Sequence, residues 1–184
     1  MAGQTAEGIK IERTNMIYEL KNRPTVEALK AGRERMRLRC EEVAKAILKE
    51  AGVLSVEYHD KGLRGFAIVK RRHVYVPFPT TRRRLDIVAH EAGHIALQHL
   101  GEKPVHRQEY EAEMYSHDAL RRHGIAVPKK ATIRAKRYVA RKIRQAVVRG
   151  AKEIDREALR WTQGYWHWKV EEWVSKNYPR MLPR

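Results

Sequence analysis

The stretch Ile87-Val88-Ala89-His90-Glu91-Ala92-Gly93-His94-Ile95-Ala96-Leu97 sets two histidines and one glutamate in an otherwise apolar run. Residues four apart project from the same face of an α-helix, so the imidazoles of His90 and His94 can bind one metal ion. Glu91 lies beside them and is suited to act as a general base. The spacing therefore predicts a helix that carries a zinc site and its own proton acceptor.

The flanks of this motif favour a buried helix. From Ile87 to Leu100 the only charged residue is Glu91, if the histidines are counted as neutral. The alternative to a functional site is a polar cluster whose members satisfy one another, or a set of surface residues, but a buried carboxylate without a partner is costly. Zinc lowers the pKa of a bound water, and a carboxylate can collect the proton as that water attacks a carbonyl. The motif thus indicates peptide hydrolysis.

Composition restricts the class of protein. With 184 residues, of which 42% are hydrophobic, the chain can bury one sizeable core and a smaller appendage. It has no N-terminal apolar leader and no apolar run near the ~20 residues that span a bilayer. We therefore expect a cytoplasmic protein without a membrane partner. Cys40 is the only cysteine, which excludes a disulfide within the chain and a zinc ribbon.

The sequence predicts helices around a small sheet. Thr25 can cap a helix that begins at Val26, and apolar spacing from Met36 to Ala51 predicts a support helix that stops at Gly52. Three runs rich in Val, Ile, Tyr and Phe predict short antiparallel strands. These runs are Leu54–Tyr58, Gly65–Lys70 and His73–Phe78. The third run could receive an extended peptide as an edge strand, or serve only as a structural strand.

Two helices should follow the strands. Thr80 or Thr81 can cap the motif helix, which should end near Leu100-Gly101, and a second helix should cover Arg107–Arg122. Three arginines, residues 82–84, occupy the first turn of the motif helix, where cations oppose the helix dipole. They are either a solvated basic turn or contacts for an acidic substrate segment or for phosphates near a cleft.

Zinc held by two histidines needs a third protein ligand, and three glutamates open the second helix. These are Glu109, Glu111 and Glu113. Glu111 shares a helical stripe with Met114, Tyr115 and Asp118. We therefore predict Glu111 as the third ligand, with Glu113 as the reserve candidate.

The chain from about Glu42 to Pro128 resembles the ImmA/IrrE-type metallopeptidases. The likeness rests on a helix, a small sheet, the His-Glu-x-x-His motif and the run Glu111-Ala112-Glu113-Met114-Tyr115-Ser116, in which Glu113 stands where the family usually has Asp or Asn. The resemblance implies a gluzincin-like fold with a mixed sheet, Zn²⁺ on His90, His94 and Glu111, and cleavage of a repressor-like regulatory protein. The strand patterns themselves predict a zincin-like α+β domain with a small, mainly antiparallel sheet. From its patterns we divide the chain into an N-terminal arm at 1–24, a zincin-like metallopeptidase domain at 25–128 and a basic, Trp-rich helical extension at 129–184.

A hydrogen-bond donor is also needed for the oxyanion of the tetrahedral intermediate. The candidates are Tyr110, Tyr115, His117 and His123. Of these we choose Tyr115, so the predicted catalytic residues are Glu91 and Tyr115.

The extension is strongly basic. The formal net charge of the chain is +17, and from Lys129 onward Lys and Arg number 16 against 5 acids. A basic amphipathic helix is predicted there, followed by a further helix, as a helical hairpin or a helix-turn-helix. All four tryptophans lie in the last 24 residues, where they could pack on the core, dock a protein or stack on bases. Nucleic acid is thus a candidate partner, and a DNA-bound repressor is a candidate protein substrate.

Two other functions remain open. The chain also resembles the SprT-like peptidases, which degrade DNA-crosslinked proteins, and there His106 would be the third metal ligand. The non-enzymatic alternative is a nucleic-acid-binding or interaction protein on a zincin scaffold. The net charge of +17 and the tryptophan-rich end favour this alternative.

Overall fold

The computed structural model describes residues 25–181, and within this range the fold is α+β as predicted. The helices are α1 (Val26–Glu50), α2 (Arg82–Ala96), α3 (Val105–Arg122), α4 (Lys129–Val148), α5 (Arg156–Thr162) and α6 (Trp168–Asn177). The strands are β1 (Ser55–His59), β2 (Phe66–Ile68) and β3 (His73–Pro77). The predicted arm at 1–24 lies outside the described residues.

Helix α1 is one continuous helix of 25 residues. The Thr25 hydroxyl accepts a hydrogen bond from the Ala28 amide at 3.1 Å, which is the predicted N-cap. The helix ends before Gly52, whose φ of 70° lies in the left-handed region that glycine adopts at low cost. Its C-terminal half buries an apolar face that includes Val43 and Ile47.

The sheet is mixed, and the prediction of a mainly antiparallel sheet is wrong. Its order is β1-β3-β2, with β1 parallel and β2 antiparallel to β3. A 3₁₀ turn at Val69–Arg71 and Arg72 in the left-handed conformation fold β2 back on β3, and β3 then pairs with β1 on its other side. Because β3 is central, both of its edges are occupied. The expectation that His73–Phe78 could serve as an edge strand is therefore also wrong.

Helix α2 carries the motif and is capped at Thr81, whose hydroxyl accepts from the Arg84 amide at 3.3 Å. The helix ends at Ala96 rather than near Leu100. Gln98 has a φ of 51°, and the amide of His99 donates to the carbonyl of His94 at 3.1 Å. This is a Schellman turn, which satisfies the last helical carbonyls and turns the chain back. It brings His99 directly beside His94.

Helices α2 and α3 pack closely at Gly93. A Cβ on Gly93 would lie 3.1 Å from Cδ1 of Tyr115 and 3.3 Å from Cα of Ala112. Glycine at this position therefore lets α3 approach the motif helix, and the close packing sets the distance between the faces that carry the polar residues.

The basic extension belongs to the same compact unit as the motif helix, a unit that begins at Arg37. The part of α1 before it, as far as Met36, falls in a separate unit and is helical from Val26. Helices α4 to α6 enclose a buried apolar cluster. It consists of Val139, Ile143, Ile154, Ala158, Leu159, Val170 and Val174. Three of the tryptophans pack against this cluster half-buried, whereas Trp168 is 60% exposed.

None of the helices in the described part of the chain is both long enough and apolar enough to cross a membrane.

Candidate metal centre

Three side chains from α2 and α3 converge on one point. Nε2 of His90 lies 3.2 Å from Oε2 of Glu109 and 3.3 Å from Nε2 of His94. Nε2 of His94 lies 3.7 Å from the same Glu109 oxygen. The ligand atoms of these three side chains all lie within 4.8 Å of one another, which is close enough to hold one metal ion. Within residues 25–181, no other group of His, Cys, Asp or Glu side chains meets this condition.

The spacing of these atoms fits a tetrahedral ion. Metal bonds to imidazole nitrogen and carboxylate oxygen measure about 2.0–2.2 Å, so two ligands of a tetrahedral centre stand roughly 3.3–3.6 Å apart. The three observed separations lie close to that range. Two imidazoles and one carboxylate also leave a fourth position for water or substrate. The group can therefore hold a metal ion.

The third member of the group is the carboxylate of Glu109, and the structure does not bring Glu111 to His90 or His94. Residues four apart share a helix face, so Glu109 and Glu113 both point towards α2, and Glu111 lies about 200° around the axis from Glu109. The Glu111 carboxylate instead accepts from Lys103 Nζ at 2.9 Å and Arg107 Nε at 3.0 Å. Although burial opposes it, these cations hold the pKa of Glu111 below its usual range.

Glu111 nevertheless contacts the centre through a chain of hydrogen bonds. Its Oε2 lies 3.0 Å from Nε2 of His99, and Nδ1 of His99 lies 2.8 Å from Nδ1 of His94. If Nε2 of His94 is kept unprotonated for a metal, its Nδ1 carries the proton and donates to His99, which in turn donates to Glu111. This chain fixes the orientation and tautomer of His94, as partners behind metal-binding histidines commonly do.

Glu113 lies behind the other histidine, with Oε1 3.4 Å from Nδ1 of His90. Burial, together with the neighbouring carboxylates, raises the pKa of Glu113 to about 7. Burial alone would lower the pKa of His90, but Glu109, Glu113 and Glu91 raise it to about 9. Three carboxylates thus favour positive charge at His90, and the same field favours a bound cation.

Glu91 is 8% exposed and lies at the base of a cleft next to His90. Burial raises its pKa, against the effect of the two histidines. A Cβ on Gly65, just before β2, would come within 2.9 Å of Cγ of Glu91 and of Cγ2 of Ile87. Glycine is therefore required for the loop to close over the Glu91 side chain. The arrangement sets a buried carboxylate beside the group that can hold a metal.

The chain matches no protein-family model, no curated protein and no solved structure. Its function is therefore inferred from the residues of the site themselves.

Helix α4 contributes two residues that the sequence alone did not point to. Nζ of Lys142 lies 2.8 Å from Oε1 of Glu109, and the ring of Tyr138 meets the ring of His90 edge-on at 6.0 Å. Burial and the Glu109 carboxylate raise the pKa of the Tyr138 hydroxyl. The signal that could have found them is their spacing of four on the predicted basic helix, which places an aromatic and a cation on one face.

The remaining predicted residues lie away from the centre. Tyr115 packs against Gly93 and does not line the cleft. Nε2 of His106 accepts a hydrogen bond from the Asp155 amide at 2.9 Å, so this histidine joins α3 to the start of α5. The structure thus brings together His90, Glu91 and His94 and adds Glu109, but it does not bring Glu111, Tyr115 or His106 to the group.

Proposed function

We propose that the protein is a zinc-dependent metalloendopeptidase of zincin-like architecture, similar to the ImmA/IrrE type, that cleaves a repressor-like regulatory protein in the cytoplasm. The observation that carries the proposal is the convergence of His90, His94 and Glu109 beside the buried carboxylate of Glu91, at the base of an open cleft. Zinc, rather than another metal, is proposed because two imidazoles and a carboxylate are a common ligand set of catalytic zinc.

Each residue has a role that follows from its place. Bound zinc would lower the pKa of its water and polarise the scissile carbonyl. Glu91, which lines the cleft beside His90, would accept the proton of the attacking water on its carboxylate and pass it to the leaving amine. Tyr138 takes the role predicted for Tyr115, because its hydroxyl-bearing ring lies against His90 and lines the cleft. It donates to the substrate oxygen as negative charge develops there.

The substrate backbone has a strand to pair with. In the part of the chain that the structure describes, β2 pairs with β3 on one side only, and Gly65, just before β2, packs against the Glu91 side chain. An extended peptide added to the free edge of β2 would run past the candidate metal centre. The peptide-binding edge is therefore β2 in this proposal.

The metal ligands are tested by metal content and affinity of matched variants. Glu109→Gln and Glu111→Gln remove the same charge two residues apart on one helix. We expect Glu109→Gln to lose bound zinc, and Glu111→Gln to keep stoichiometric zinc at about 10- to 100-fold lower affinity. A larger loss in Glu111→Gln would make Glu111 the ligand, and loss in His106→Ala would favour the SprT-like site.

Hydrolysis itself is tested with Glu91→Gln. This variant should keep its fold and its metal and lose cleavage of the substrate protein by at least about 100-fold. If cellular activity survives in a folded Glu91→Gln variant, the protein is not a peptidase. The alternative is then nucleic-acid binding, which is favoured by exposed arginines on α4. These are Arg134, Arg137, Arg141 and Arg144.

A further inference from the structure

The cleft beside Glu91 has a volume of about 470 Å³ and is lined by four elements of the chain, of which α3 contributes Glu113 alone. The loop before β2 forms one wall, the first turns of α2 form part of the base, and one face of α4 forms the other wall. The α4 residues that line it are spaced three or four apart, as a single helix face requires. They are Ala131, Arg134, Ala135, Tyr138 and Arg141.

Four arginines from these elements surround the mouth of the cleft, and we call them the cleft arginines. They are Arg64, Arg83, Arg134 and Arg141. All four are exposed, and within residues 25–181 none of them is in ion-pair contact with a carboxylate. Arg141 lies over the ring of Tyr138 at 5.2 Å, which directs its guanidinium towards the wall of the cleft.

Arg84, the residue after the cleft arginine Arg83, makes structural contacts instead. Arg84, next to Arg83, donates to the carbonyl oxygens of Asp60 at 2.6 Å and Phe78 at 3.4 Å, so it anchors the β1 end to α2. Of the predicted run at residues 82–84, only Arg83 lines the cleft. The basic first turn is thus divided between a structural contact and a side chain that faces the cleft.

The acids of the cleft do not neutralise these cations. Glu91 and Glu113 are at most 9% exposed and lie at the base, where they face the histidines. Asp86 accepts a hydrogen bond from the Ser116 hydroxyl at 3.0 Å on the side towards α3. The cleft therefore has a buried acidic base around the candidate metal centre and an exposed cationic mouth. Such a field attracts an anionic ligand to the mouth.

We infer that the cleft arginines select an acidic polypeptide segment of the substrate, placing its carboxylates on both sides of the scissile bond. This inference rests on the proposed peptidase function. A polypeptide is favoured over a nucleic acid because apolar side chains line the same cleft as the arginines. In addition, β2 directly follows the loop that forms one wall and, within residues 25–181, pairs with β3 on one side only, so it offers backbone pairing. The apolar lining consists of Leu63, Ile87, Ala131 and Ala135.

The test separates binding from cleavage by using the full-length Glu91→Gln protein loaded with zinc. Fluorescence anisotropy compares three labelled probes: a peptide in which Glu alternates with Ala and Leu, its counterpart with Gln for Glu, and a single-stranded oligonucleotide of similar length. The acidic peptide should bind the most tightly. Charge reversal by Arg134→Glu with Arg141→Glu should weaken its binding on the order of tenfold.

The matched control reverses Lys152 and Arg160 to Glu, which changes the net charge equally at exposed positions outside the cleft. Its affinity for the acidic peptide should stay within about twofold of that of the parent protein. Equal loss in both charge-reversed proteins, or equal binding of the Glu and Gln peptides, overturns the inference. Tighter binding of the oligonucleotide, lost on reversal of the cleft arginines, assigns the cleft to nucleic acid instead. Binding as expected without any cleavage by the wild type refutes the peptidase and leaves the acidic ligand standing.

Discussion

Replacing His99 with leucine isolates the hydrogen-bond chain behind the candidate metal centre. The side chain of His99 is 1% exposed, so leucine fills a similar buried space while both ring nitrogens are lost. His94 then loses the acceptor that lies 2.8 Å from its Nδ1. Loss of such a partner costs about 10- to 100-fold in metal affinity, which is about 1.4–2.7 kcal/mol. Glu111 remains paired with Lys103 and Arg107, so little of the change should come from an unpaired carboxylate.

The assay is competition for zinc with a chromogenic chelator at neutral pH, with unfolding of the metal-free proteins measured in parallel. His106→Leu is the matched control, since it also replaces a buried imidazole with leucine but removes a contact to Asp155 rather than to a ligand. It should lose stability and keep its zinc affinity. Glu111→Gln combined with His99→Leu should cost less than the sum of the two single changes, because both act through His94. Unchanged zinc affinity in His99→Leu would refute the role of the chain, and an equal loss in His106→Leu would show a general effect of destabilisation.

Three further outcomes follow from the local geometry. Gly65→Ala should displace Glu91 and lower kcat/KM about tenfold or more with zinc still bound, as steady-state kinetics and metal analysis would show. Gln98→Gly should raise the free energy of unfolding by about 1 kcal/mol in denaturant titrations, because a left-handed residue closes the α2 turn. Burial lowers the pKa of His106, so the unfolded chain takes up a proton at higher pH than the folded one. The contribution of neutral, buried His106 to the free energy of unfolding should be fully present above about pH 6.5 and should be lost as the pH falls through the lower folded-state pKa. His106→Gln should flatten this pH dependence.

Each outcome has a result that contradicts it. Wild-type kinetics in Gly65→Ala would mean that Glu91 does not need its observed position. No gain in Gln98→Gly would mean that the turn stores no backbone strain. A pH profile of His106→Gln that parallels the wild type would assign the acid sensitivity to other buried histidines.

The ends of helices could be predicted where a residue type decides them locally. Thr25 and Thr81 accept the capping hydrogen bonds expected of them, and Gly52 ends the support helix. The end of α2 could not be predicted in this way, because Gln98 adopts a conformation that usually requires glycine. The sheet order also escaped prediction, since local patterns give each strand without its neighbours.

The face of α3 was misjudged for a physical reason. The sequence pattern predicts the stripe of Glu111, Met114 and Asp118 as the inner face, because Glu109 and Glu113 lie next to a more polar face. Met114 is in fact 37% exposed, whereas Glu109 and Glu113 are buried at 7% and 9%. Burial of polar groups becomes acceptable when they pair with one another, as they do around the histidines. Hydrophobic periodicity therefore fails on the helix face that builds a polar site.

The ion pair between Lys142 and Glu109 has a consequence for the order in which the centre is made. During translation, the ribosome synthesises His90, His94 and Glu109 before the segment that carries Tyr138 and Lys142. A growing chain therefore contains all three candidate ligands while the cation that pairs with one of them and the wall that encloses the cleft are still missing. The candidate centre is therefore completed only when α4 docks, so the nascent protein carries the three candidate ligands before it has the wall that closes the cleft around them.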